Sequence, residues 1–141
     1  MSSRLTWSVA ALTVLLAAPA WAQAGGRKQG PEPVADGRPL SAWIADLKAA
    51  APQTRNAAAY EISGLGPAAA PAVPALVEAL EDPDPTVRYA ATVALREIGP
   101  AAKAAVPALK RVMDEDLNDE VAHSAKRAIR FIQPEALPAS E

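Results

Sequence analysis

DPDPTVRYAATVALREIGPAAKAAVPAL, residues 82–109, decides how this chain folds, because most of it is written a second time 33 residues earlier. RNAAAYEISGLGP at 55–67 falls on RYAATVALREIGP at 88–100, and Val73, Pro74, Ala75 and Leu76 fall on Val106, Pro107, Ala108 and Leu109 without a gap. A third copy starts at Val121, now shifted by 34, with Ala125, Ile129, Ile132 and Pro134 on Ala91, Leu95, Ile98 and Pro100. Carried backwards, the same register places Leu40, Trp43 and Leu47 on Val73, Leu76 and Leu80. A period in this range marks a stack of small structural units, each too small to bury its apolar face alone.

Each unit reads as two helices. Apolar residues recur at steps of three and four, as in Val87, Ala90, Ala91, Ala94, Leu95 and Ile98, and again in Val106, Leu109, Val112 and Met113. Asp82-Pro83-Asp84-Pro85 puts an aspartate at an N-cap and a proline at the first helical position, where its missing N–H costs nothing. Gly66-Pro67 and Gly99-Pro100 stop the preceding helices. Pro74 and Pro107 stand early enough in their helices to be tolerated. Six helices are predicted, roughly 40–50, 55–65, 71–81, 85–98, 102–113 and 119–132. The fold class is therefore all-α, an α-solenoid of about six antiparallel helices in three stacked pairs, in which the first and last helices are each half a repeat. Such an unfinished end could pair with a second copy, giving a homodimer. Residues 134–141 form a C-terminal tail.

Composition suits this architecture. Half the 141 residues are hydrophobic but only 4% are aromatic. The interior is thus built largely of alanine and aliphatic side chains, which let helices approach closely. Cysteine is absent, which excludes disulfides, thiolate zinc sites and a cysteine nucleophile. Trp43 is expected as a core plug sealing the first end of the stack.

Ahead of the repeats, Met1-Ser2-Ser3-Arg4 is a short basic start, Leu5 to Ala18 is largely apolar, and Pro19 precedes Ala20-Trp21-Ala22. This is the pattern of a secretory signal peptide, residues 1–22, cut between Ala22 and Gln23. The apolar run is shorter than the ~20 residues a membrane-spanning helix needs. The mature protein is expected to be exported, periplasmic or extracellular, with no membrane insertion after cleavage. Residues 23–39, with Gly25, Gly26, Gly30, Gly37 and three prolines, read as a flexible linker. Loss of the leader removes Arg4 and no acid, so the net charge of −2 becomes −3, which gives no support to binding nucleic acid.

The run from Asp82 to Leu109 closely resembles the HEAT repeat, in the short bacterial form called phycobilisome-lyase-like. The resemblance covers Leu40 to about Gln133. It implies an α-solenoid in which the aspartate of the inter-repeat turn and the arginine after the valine lock adjacent repeats, a pattern matched by Asp82 or Asp84 with Arg88. Arg55 matches the arginine, although Thr54 stands where valine is expected. Ala122 replaces the arginine in the third copy, and Glu61 takes the place of the small Ala94, so looser packing is expected in the outer units. No bilin-handling residue can be carried over.

Candidate sites are few. His123 is the single histidine and shares a column with Tyr89 and Asn56, which reads as an outer surface position. Asp114, Asp116 and Asn118 alternate as in a calcium loop, but Asp119 and Ala125 stand where its glycine and terminal glutamate are required. The stretch 114–120 therefore reads as a solvated acidic turn. On the second helices, Ala45, Glu78 and Arg111 form one exposed column and Lys48, Glu81 and Asp114 the next. Glu78, Glu81, Lys110 and Arg111 are the candidate partner contacts on that face, weighed against ion pairs that only keep the surface soluble. Lys126, Arg127 and Arg130 form a second candidate patch, suited to an acidic partner. No catalytic constellation, metal site or cofactor is expected. The function implied is a protein-binding scaffold; the alternative is an auxiliary domain or subunit of an envelope enzyme.

Overall fold

A computed structural model describes residues 31–138. The expected leader, residues 1–22, and the final residues 139–141 lie outside the described residues. Six α-helices follow a two-stranded hairpin: β1 (Val34–Ala35), β2 (Arg38–Pro39), α1 (Leu40–Asp46), α2 (Pro52–Gly64), α3 (Val73–Ala79), α4 (Pro85–Ile98), α5 (Val106–Glu115) and α6 (Asp119–Ile132). Helices α2, α4 and α6 lie side by side in one row, and α1, α3 and α5 pack against them in turn as three pairs. The all-α solenoid read from the repeats is the fold observed.

Local chemistry sets the helix boundaries. Asp84 caps α4 by accepting a hydrogen bond from the Thr86 N–H, with Pro85 at the first helical position. Asn118 does the same for α6, accepting from Glu120 and Val121, and Asp119 and Glu120 occupy the first turn, where the helix dipole favours acids. After α2 and α4 the chain turns through Gly66 and Gly99, at φ 55° and 74°. Short 3-10 segments then occupy Gly66–Ala72 and Gly99–Ala105. The helices expected from 71 and 102 accordingly begin later, at Val73 and Val106. Pro74 and Pro107 are the shared cause, because in a continuous α-helix each ring would strike the carbonyl four residues before it.

One core runs the length of the stack. Helix α4 sits at its centre and buries Val87, Ala90, Ala91, Thr92, Ala94, Leu95 and Ile98. Ala58, Ala59 and Ile62 of α2 face it on one side, and Val121, Ala125, Ala128 and Ile129 of α6 on the other. Leu76, Leu80 and Leu109 close it from the second row. The buried hydroxyls of Thr92 and Ser124 satisfy one another at 2.5 Å, and Thr92 also donates to the Tyr89 carbonyl.

The stretch expected to be a flexible tether is, over residues 31–39, part of the folded unit. Ala35 and Arg38 pair across a turn through Asp36 and Gly37, both at positive φ. The hairpin closes over Trp43, whose indole N–H donates to the Ala35 carbonyl at 3.0 Å. The Arg38 guanidinium lies 4.0 Å from the centre of the indole ring and 2.9 Å from Asp46. Glu32 accepts from the backbone N–H and hydroxyl of Ser41. Trp43, 8% exposed, is the plug the sequence suggested, and the hairpin is its lid. Among the described residues, no helix is long and apolar enough to cross a membrane.

Candidate protein-interaction surface

Two arginine–aspartate staples bind the repeats together. Arg55 on α2 donates from Nε and Nη2 to the Asp82 carboxylate at 2.6 and 2.9 Å, and from Nη1 to the carbonyls of Ala49 and Ala50. One repeat later Arg88 on α4 donates to Asp116 at 2.7 and 2.8 Å, and from Nη1 to the carbonyls of Asp82 and Pro83. Each aspartate also accepts from the backbone N–H two residues ahead, Asp84 and Asn118, and so shapes the turn into the next helix.

The locking pair expected from the family resemblance therefore needs correction. Arg88 meets the main-chain oxygen of Asp82, not its carboxylate. Its carboxylate partner is Asp116, after the second helix of the same repeat; Asp84 is occupied as a helix cap. Asp116 is accordingly no mere solvated acid, since its side chain is 5% exposed. The hydrogen bonds from Arg55 and Arg88 hold the carboxyls of Asp82 and Asp116 below their usual range, against the opposing pull of burial. Arg88 is raised in return, chiefly by Asp116.

The ladder stops at both ends. Ala49 stands one period before Asp82 and offers only its carbonyl, and Ala122 stands where the next arginine would be.

Beside the staples, the α1/α3/α5 row carries two grooves related by the repeat. The first, about 420 Å³, has Leu47, Ala75 and Ala79 on its floor. The second, about 260 Å³, has Leu80, Ala108 and Val112 at the equivalent positions. An ion pair crosses each: Lys48 to Glu78 at 2.9 Å, and Arg111 to Glu81 at 3.1 Å. The charges are exchanged between the two grooves, with Glu81 in the place of Lys48 and Arg111 in the place of Glu78. The side chains pair diagonally across the row, so Glu78 in α3 and Glu81 just beyond its end are held from opposite sides. All four are 62–68% exposed, where such pairs contribute little to stability.

The structure thus brings Glu78, Glu81 and Arg111 together on one face. Lys110, on the same helix as Arg111, lines neither groove. Lys126, Arg127 and Arg130 lie together elsewhere, on the exposed side of α6 around a shallow depression that also includes Asp119, Glu120 and His123. His123 is exposed as expected, with Nδ1 2.7 Å from the Asp119 carbonyl oxygen. No group of three or more His, Cys, Asp or Glu side chains is arranged to hold a metal among the described residues.

Stacked helix pairs locked by periodic staples, with equivalent grooves along one row, define an α-solenoid repeat protein. Residues 40–130 match the family model for HEAT repeats, and the chain belongs to that family. No curated protein is similar enough to match. HEAT repeats commonly act as protein-interaction scaffolds.

Proposed function

We propose that this is an exported scaffold, without catalysis of its own, that holds an extended segment of a protein partner along the α1/α3/α5 row. The observation that carries the reading is the pair of equivalent grooves. Each offers an apolar floor and two opposite charges, and exposed side chains whose mutual attraction is weak are readily given up to a partner. In this reading the likeness to the short bacterial, phycobilisome-lyase-like form concerns the scaffold and not lyase chemistry. The signal-peptide pattern of residues 1–22 supports an encounter in the periplasm or outside the cell.

A photo-crosslinking side chain introduced at Glu78 or Arg111 in the native envelope tests this directly. Adducts with one protein are expected from both positions and not from Glu61 on α2, and Glu81→Lys should abolish them. Adducts equally frequent from Glu61, or none from the grooves, would sink the proposal.

A further inference from the structure

The outer side of α6 is divided by charge along its length. Asp119 and Glu120 occupy its first turn, while Lys126, Arg127 and Arg130 occupy its second half. All five are exposed, and none forms an ion pair among the described residues. This contrasts with the α1/α3/α5 row, where Lys48, Glu78, Glu81 and Arg111 are all paired. Two large apolar side chains bracket the charged strip: Leu117, 100% exposed just before the helix, and Phe131, 62% exposed at its end.

Such a strip is its own complement when reversed. We propose that α6 docks antiparallel onto α6 of a second copy about a two-fold axis that crosses the exposed face of the helix at the level of His123 and Ser124. With that centre, Glu120 lies opposite Arg127 of the other chain, Asp119 opposite Arg130, and Leu117 opposite Phe131, each pairing occurring twice. A two-fold axis keeps each edge of one helix on the same edge of its partner. Glu120, Arg127 and Phe131, spaced by seven and four residues along one edge, therefore meet their counterparts, while Asp119, His123, Lys126 and Arg130 fill the middle. At a rise of about 1.5 Å per residue, the strip from Leu117 to Phe131 spans about 21 Å. A single helix pair of that length lies at the low end of stable interfaces, so the dimer exchanges with monomer and weakens with salt. It leaves the α1/α3/α5 grooves free and stands or falls independently of what they bind.

Sedimentation equilibrium of the full chain, purified from expressing cells and run over a concentration series at low salt, gives the test. The mass should approach twice the monomer. Glu120→Arg alone and Arg127→Glu alone should each weaken association at least about tenfold. The two changes in one chain should restore it, because both copies then carry the swapped pair. Circular dichroism checks that every variant is folded. A strict monomer at all concentrations, or a dimer indifferent to both single reversals, overturns the proposal, as does failure of the folded double variant to recover.

Discussion

Arg88 holds Asp116 through Nε and Nη2 while its Nη1 grips the carbonyl of Asp82, the residue whose own carboxylate is held by Arg55. One aspartate thus serves two arginines, by side chain and by main chain. The two staples are consecutive rungs of one hydrogen-bonded ladder.

Breaking a rung should cost far more than breaking a groove ion pair. Asp116→Asn removes the charge from a largely buried, bidentate pair and is expected to lose about 1.5–3 kcal/mol. Glu78→Gln, at 65% exposure, should stay within about 0.5 kcal/mol. Urea melts read both, as a shifted midpoint with an unchanged slope. Equal effects would contradict the assignment of the staples.

The staples also set the acid limit. A carboxyl whose folded-state pKa lies below its unfolded value stabilises the fold above that unfolded value, and the contribution disappears as pH falls through the folded one. With Asp82 and Asp116 both lowered from 3.8, stability should hold down to about pH 4 and then fall. The deficit of Asp116→Asn relative to the parent should shrink over the same window. A deficit constant from pH 7 to pH 2 would show that the charge plays no part.

Two glycines should respond in opposite directions. Gly99 sits at φ 74°, ψ −143°, a region almost closed to other residues, so Gly99→Ala should cost about 1–3 kcal/mol. Gly64 ends α2 with ordinary backbone angles and open space around a new Cβ. Gly64→Ala should gain about 0.4–1 kcal/mol by restricting the unfolded chain. Thermal unfolding distinguishes the two.

The hairpin lid should depend on the indole N–H. Trp43→Phe keeps the apolar plug but removes the bond to the Ala35 carbonyl. Amide exchange across residues 34–39 should accelerate while the centre of α4 keeps its protection, as expected for local opening. Acceleration spread evenly over both would show that the lid does not open as a separate unit.

Export is tested by mass. Protein recovered from the envelope should begin at Gln23; recovery with Met1 or the apolar run still attached would refute cleavage after Ala22.

Much of this molecule was legible because repeats average over local ambiguity. The column shared by Leu95, Ile62 and Ile129 fixed the helical register, and Asp84-Pro85 and Gly99-Pro100 marked ends that the structure keeps. What escaped were relationships the register leaves degenerate. Aspartates at 82 and 116 share one column, so nothing in the sequence says whether Arg88 reaches the one before it or the one after. The crossing of Lys48 to Glu78 was equally hidden, since columns align like with like while side chains meet diagonally. The hairpin was missed for another reason. Glycine and proline composition signals a break in helix, and cannot tell a loose tether from a turn pinned by Trp43.

The alanines that terminate the ladder, Ala49 and Ala122, make it a gauge of length. Any 33-residue insertion carrying both an arginine and its downstream aspartate would add a rung and leave every existing one intact, so the stack can be extended from within. The architecture is one that lengthens by duplication of an internal unit.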